Sequence, residues 1–294
     1  MAVFYNQATI SYGGTVRQSN ITEGQLLEAV SVTKTPVIGT YAQGDTLVYV
    51  VNIVNESGAP LTGLTLTDDL GAYESGTQSY TPLTYAEGSL HVYADGTEQP
   101  APAVTTDPGL TAEGIDLTAN GAVTVVYAAK ANEFAPLGAD AQIVNTVSVS
   151  GGGIAEAVTA TATVTAQDGP DLNVLKSVCP SAVAENGRVS YTFVISNTGT
   201  ETQEADNVIL SDVFDPLLSD LVVTLDGAAL TAGTDYTYDS ATGEFATTAG
   251  TVTVPGAKFV QDPTTGVWTA DPGTATLTVT GTIGGTQVSD GKKR

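Results

Sequence analysis

The sequence predicts an all-β protein of two tandem β-sandwich domains, preceded by a spare strand. Three observations carry that prediction. Runs rich in Val, Thr, Ile and Tyr alternate with Gly, Pro, Asn and Asp clusters along nearly the whole chain, and no stretch of helical period competes with them. These runs recur in the same order in the two halves. Finally, the strand that closes the first half has a second copy at the N-terminus, where there is no earlier domain to close.

That opening strand, Tyr5-Asn6-Gln7-Ala8-Thr9-Ile10-Ser11-Tyr12-Gly13-Gly14, repeats the pattern of Val144-Asn145-Thr146-Val147-Ser148-Val149-Ser150-Gly151-Gly152. Both alternate after an Asn and stop at paired glycines, which are strong turn formers. A polar stretch, Thr15 to Gly24, reads as a second short strand or arm. Glu28 to Thr35 opens the first complete domain. Gly44-Asp45 then introduces the long strand Thr46 to Asn55, followed by Leu64 to Asp68, hairpins through Leu90 to Tyr93, a core strand Val123 to Tyr127 and the closing strand Ile143 to Ser150.

The second half follows suit. Leu172 to Lys176 answers the Lys34 strand, Arg188 to Asn197 answers Thr46 to Asn55, Val208 to Asp212 answers Leu64 to Asp68, and Thr274 to Gly281 answers Val123 to Tyr127. Lys34 and Lys176 lie 142 residues apart, as do Asn55 and Asn197; Asp68 and Asp212 lie 144 apart, and Asn6 and Asn145 lie 139 apart. The remaining tail, Thr282 to Arg294, carries no Asn-led closing strand. The expected boundaries are therefore 1–26 for a donor strand and arm, 27–168 for a complete domain and 169–294 for a domain that lacks its last strand.

Composition narrows the function. Hydrophobic residues make up 41% of the 294, enough for cores in about two domains. Thirty-two acidic residues against 9 Lys and Arg give a formal charge of -23, which opposes nucleic-acid or anionic-membrane partners because both need a basic face. One His, one Cys and no Gly-rich phosphate loop leave the usual nucleophile and cofactor constellations without parts, so neither enzyme turnover, a cofactor nor a small-molecule substrate is expected. Asp68-Asp69 and the acids around Asp212, Asp215 and Asp220 lack the ligand spacing of a calcium loop, so no metal is expected either. His91 and Trp268 read as structural, and Cys179 has no partner within the chain. The N-terminus shows no basic region followed by an apolar one, and no apolar run is long enough to span a bilayer; the expectation is that the chain either is not exported by the signal-peptide route, which the Met1 start favours, or was cut from a precursor.

Residues two apart on a strand share a face. Lys34 therefore points with Val30 and Val32, Lys176 with Leu172 and Val174, Asp68 with Leu64 and Leu66, Asp212 with Val208 and Leu210, Asn145 with Val147 and Val149, and Asn6 with Ala8 and Ile10. Amine, carboxyl and carboxamide all aim at a core. Buried ions are costly even when paired. Desolvation favours a neutral amine beside a protonated carboxyl, and a neutral amine is a nucleophile. Attack on the carboxamide with loss of ammonia gives a neutral isopeptide bond, one turnover per site.

The set of VTK strand, GDxxxYxxxxxN, LxxxD or VxxxD and closing Asn strand resembles the repeat domain of bacterial surface proteins called domain of unknown function eleven. It covers most of the chain twice, although the second copy reads VLK and lacks the Gly-Asp. The Lys, Asp, Asn order is similar to the isopeptide-forming immunoglobulin-like domains of Gram-positive adhesins and pilins, and the two-repeat plan more loosely resembles clostridial spore-appendage subunits. These resemblances imply two tandem immunoglobulin-like β-sandwich domains, with Lys34, Asp68 and Asn145 linking within the first. In the second, Lys176 and Asp212 lack an Asn of their own, and Asn6 of a neighbouring subunit is the unassigned candidate. The expected partner is then the chain itself, head to tail, in an extracellular or spore-surface filament. The alternative is a monomeric surface adhesin or stalk module binding a glycan or protein; it has no need of the spare strand.

Overall fold

A computed structural model describes residues 2–26, 30–204 and 208–284. The start of the strand expected from Glu28 and the Asp290 to Arg294 tail lie outside the described residues. The described residues contain no helix, and the chain divides into two compact units, residues 1–135 with 142–165, and residues 136–141 with 166–294.

The N-terminal segment is a ribbon that pairs with itself. β1 (Ala2–Asn6) runs antiparallel to β4 (Thr22–Leu26), and β2 (Thr9–Tyr12) to β3 (Thr15–Gln18), around Gly13 and Gly14. Both glycines have positive φ, +53° and +81°, as a tight hairpin turn requires. Asn6 faces Thr22 and Thr9 faces Gln18, so the returning strand carries one extra residue between those pairs. Ser19 holds that bulge: its backbone N–H donates to the Ala8 carbonyl at 2.9 Å, and its Oγ accepts from the Ala8 N–H at 2.9 Å. The stretch read as a strand or arm is thus the second leg of a hairpin.

The remainder of the first unit is a sandwich. One sheet runs β13 (Thr97–Gln99), β12 (His91–Ala94), β16 (Ala122–Ala131), β7 (Thr46–Asn55), β5 (Val30–Pro36), with β11 (Leu83–Tyr85) also on β16. The other runs β14 (Val104–Thr105), β15 (Leu110–Leu117), β8 (Leu61–Asp68), β17 (Gln142–Gly151), β18 (Val158–Ala166), β6 (Thr40–Tyr41); β9 (Tyr73–Ser75) and β10 (Gln78–Tyr80) form a small hairpin. Strict alternation makes the core: Tyr49, Val51 and Ile53 on β7, Leu64 and Leu66 on β8, Val125 and Tyr127 on β16, and Val147 and Val149 on β17 are all fully buried. β18 was not foreseen, although the alternation of Val, Ala and Thr from 158 to 166 carries its signal. The closing element is therefore a hairpin, β17 turning back into β18 through residues 152–157, which open on Gly152 and Gly153 at positive φ.

Among the described residues the second unit repeats the main strands of the plan, but without a counterpart of β17 and β18. β19 (Leu172–Cys179), β20 (Arg188–Asn197), β28 (Gly273–Ile283), β22 (Leu218–Leu225) and β23 (Ala228–Ala229) stand in the order of β5, β7, β16, β12 and β13. β21 (Ser211–Val213), β25 (Glu244–Thr247) and β24 (Tyr236–Tyr238) answer β8, β15 and β14, while β26 (Lys258–Gln261) and β27 (Trp268–Asp271) form an added hairpin. Among the described residues nothing stands beyond β21 where β17 and β18 stand beyond β8. That explains why only the end of the expected strand Val208 to Asp212 is regular: β8 has ladders on both sides, β21 on one.

The repeated Asn of each long strand ties down the loop that follows. Asn55 Nδ2 donates to the carbonyls of Ala59 and Thr118, both at 2.8 Å, and its Oδ1 accepts from the Ser57 N–H at 2.9 Å. Asn197 does the same with Glu201 and Gly199. Asn55→Ala removes these hydrogen bonds, each worth roughly 0.5–1.5 kcal/mol net, and should cost about 1–3 kcal/mol in all, read as a lower urea midpoint for the first unit.

Candidate functional site

In the first unit, strands from both sheets bring the three expected residues into one sealed cluster. Lys34 enters from β5, Asp68 from the end of β8 and Asn145 from β17, and all three are buried. Lys34 Nζ donates to Asp68 Oδ2 at 2.6 Å, with both side chains wholly inaccessible. The backbone N–H of Leu70 donates to Asp68 Oδ1 at 3.0 Å, fixing the carboxyl from its other side.

Two tyrosines that the sequence reading passed over complete the cluster. Tyr127, on β16, donates its hydroxyl proton to Asp68 Oδ2 at 2.6 Å and accepts from Asn145 Nδ2 at 3.3 Å. A phenol has one proton, so a hydroxyl that donates to Asp68 can only accept from the carboxamide, which sets the Asn145 orientation. Tyr49 stacks on Tyr127 with ring centroids 5.6 Å apart, and Lys34 Nζ lies 5.0 Å from the Tyr49 centroid. Asn145 Oδ1 and the Tyr49 hydroxyl are buried and make no hydrogen bond of normal geometry, although the Asn145 side chain lies near enough to Tyr49 to offset part of the effect of its burial. The signal was available: Tyr49 and Tyr127 share the inward parity of Val51 and Val125, and they face each other across the β7–β16 ladder.

Burial sets the chemistry. It pulls the Lys34 amine below its ordinary 10.5, against the opposing pull of Asp68. It also pushes Tyr49 up to about 12, and Tyr127 higher, with the Asp68 charge adding to the effect on Tyr127. The arrangement therefore offers a desolvated amine, a carboxyl hydrogen-bonded to it, a phenol bridging to a carboxamide, and no access for water.

The second unit holds the same pair in the open. Lys176 Nζ donates to Asp212 Oδ2, but the lysine side chain is 40% exposed. Its amine lies 4.7 Å from the Tyr191 centroid, 5.3 Å from that of Phe214 and 5.4 Å from that of Phe193. Tyr191 stands where Tyr49 does, but the residue facing it on β28 is Val279, where the first unit has Tyr127. Around the pair runs a groove of about 460 Å³ walled by Leu172, Val174, Phe193, Ile195, Val208 and Leu210. In the first unit the space against β8 and β5 is occupied by β17, whose Ile143, Val147 and Val149 are at most 1% exposed. Asn6 sits on β1 with its side chain exposed, on the ribbon face that also carries the exposed Phe4, Ile10 and Tyr12. His91, read as structural, pairs with Glu98 at the surface, and Cys179 is an exposed free thiol at the end of β19.

No protein-family model matches the chain, and no curated protein matches it. Among solved structures it is similar to the pilus backbone of Streptococcus pneumoniae, at 14% identity and a TM-score of 0.34, over 83% of this chain and 55% of that one. It is also similar to the major pilin subunit of Bacillus cereus, at 11% identity and a TM-score of 0.34, over 93% of this chain and 73% of that one. A third is the collagen-binding domain of a Staphylococcus aureus adhesin, at 12% identity and a TM-score of 0.29, over 47% of this chain and 99% of that one. This chain thus spans about half the length of the pneumococcal pilus backbone.

The lowered Lys34 value has a signed consequence wherever the amine stays free, as in an Asn145→Ala variant. Between that lowered value and 10.5 the unfolded chain binds the extra proton, so the stability of the first unit should rise as pH increases through that window. Above about pH 10 the buried tyrosines reverse the trend, because unfolded phenols near 10.0 ionise before folded ones. Urea midpoints measured from neutral pH upward should climb and then turn over; a flat profile below pH 10 would contradict a desolvated amine.

Proposed function

We propose that this chain is the repeating subunit of a surface filament, of the pilus or spore-appendage kind. Subunits join head to tail when the N-terminal strand of one copy enters the open groove in the second unit of the next. The observation that carries this reading is that one lysine–aspartate pair occurs twice, sealed beneath an Asn-bearing strand in the first unit and open in the second. An incomplete sandwich leaves unpaired backbone groups and apolar core at its edge, and an incoming strand satisfies both. Donation in one direction is a heterologous contact that need not close on itself, which gives an open fibre.

The bonds follow from the same residues. In the first unit the Lys34 amine adds to the side-chain carbonyl carbon of Asn145. The amine gives up a proton, the carbon–nitrogen bond to the carboxamide nitrogen breaks, and that nitrogen leaves as ammonia with the proton supplied to it. Asp68 is placed to take the proton from Lys34, and Tyr127 to pass one to Asn145 Nδ2, so the chain of hydrogen bonds is the relay. At the joint, Lys176 and Asp212 take the parts of Lys34 and Asp68, and Asn6 of the neighbouring subunit supplies the carboxamide. Ala8 and Ile10 enter the core with Asn6 because they share its face. With Val279 in place of Tyr127, the joint has a shorter relay than the internal site.

The chain should lose one ammonia on folding, seen as an intact-mass deficit that Asp68→Ala restores. Loss of an acid–base group typically slows such a step ~10²–10⁴-fold, so the variant should stay unlinked through purification. A full, unmodified mass in folded wild-type protein would exclude the internal bond. Boiled denaturing gels of the polymer should show a ladder that Asn6→Ala or Lys176→Ala collapses to monomer. Deleting residues 2–14 should abolish fibres in negative stain, and fibres that survive the deletion would refute strand donation. A lone monomer band from wild-type protein would point instead to a loop-back bond or to a free-standing adhesive module.

A further inference from the structure

We infer that the donated element is a preformed two-stranded hairpin, residues 2–26, rather than a single strand. This inference rests on the strand-donation reading above and goes beyond it. In the first unit, the part that seals the lysine–aspartate pair is itself a hairpin: β17 pairs β8 on one side and β18 on the other, with Asn145 facing Ala162 and Ile143 facing Val164. The ribbon β1–β4 repeats that construction. Asn6 faces Thr22 as Asn145 faces Ala162, Phe4 faces Gly24 as Ile143 faces Val164, and glycines of positive φ stand at both turns, Gly13 and Gly14 in the tight turn of the ribbon and Gly151, Gly152 and Gly153 at the start of the longer connection from β17 to β18.

The ribbon is also fitted together across its two legs. The Phe4 ring lies over Gly24 so closely that a Cβ there would come within 2.3 Å of its far edge. One large and one absent side chain thus replace the Ile143 and Val164 pair at the same place. Ser19 and Thr22 add hydrogen bonds to the backbone of Ala8 and Asn6. A strand donated alone would have to give up this pairing before entering the groove, and would leave its own outer edge unpaired afterwards. The intact hairpin keeps its ladder and presents one finished face.

That face matches what the groove lacks. Phe4 and Ile10 are 56% and 63% exposed, whereas Ile143 and Val149, at the same places in the first unit, are at most 1% exposed. By the register of β17 on β8, in which Val147 faces Asp68 and Val149 faces Leu66, Ala8 would face Asp212 and Ile10 would face Leu210 of the accepting subunit. Asn6 then lies two residues further along on the same face, toward Lys176. The opposite face, with Tyr5 and Glu23, stays outside, as the exposed Val144 and Thr163 do on β17 and β18.

A crosswise lock tests this. Tyr5 and Glu23 are register partners on the outer face, so Tyr5→Cys with Glu23→Cys, in a Cys179→Ser background, can staple the legs together. Oxidised protein, its lock confirmed by loss of free thiols, is allowed to polymerise, then reduced and boiled. The expected result is a ladder equal to that of the wild type. A ladder that forms only when the protein is reduced before polymerising would show that the hairpin must open, overturning this inference while leaving strand donation standing. In a second variant, residues 15–26 are replaced by a Gly/Ser segment of the same length, which keeps the reach and removes the second leg. The ladder should fall at least tenfold, and an undiminished ladder would overturn the inference. Absence of any ladder from wild-type protein would bring down strand donation itself, and this inference with it.

Discussion

A primary amine cannot be left by itself in the middle of an apolar sandwich, and the architecture of this chain turns on how that problem is met twice. The cost of desolvating a cation exceeds what most pairings return. In the first unit Lys34 is therefore given Asp68 at hydrogen-bond distance and two tyrosine rings, and the carboxamide of Asn145 completes the same connected group. Every member comes from a different strand, so the cluster exists only when both sheets are in place. In the second unit the same pair is left half in water, and solvent does what the closing hairpin does in the first.

The difference between the units is one of edges. Among the described residues, β8 has a neighbour on each side, and β21 has one. Among the described residues, the free side of β21 borders a groove whose wall includes the exposed Leu172 and Val174. Soluble proteins usually blunt such edges with charge, proline or a bulge. Here Lys176 and Asp212, hydrogen-bonded to each other, line the groove, so a charged pair stands beside the apolar wall.

Several features were legible in the sequence because they depend on period alone. Alternation places Lys34, Asp68 and Asn145 on inward faces whatever the sheets later do, and the spacing of Asn55 and Asn197 announces the repeat. Other features were not legible. The Val208 to Asp212 strand was overcalled because a propensity for extended backbone does not supply a partner. β18 was overlooked, and with it the fact that closure takes two strands. Tyr127 escaped notice because its role depends on which strand ends up across from β5 and β8, a register far from local in sequence.

The sequence by itself determined the all-β class, the two-fold repetition, the face each polar residue takes and the excess of acid over base. Strand period and composition fix those, and both are local quantities. Tertiary structure alone decided that one lysine is sealed and its twin exposed, that a phenol joins the acid to the carboxamide, and that the N-terminal strand already holds a partner. Burial and pairing belong to what packs on the other side of a strand, and that is set by contacts tens to hundreds of residues away in the chain.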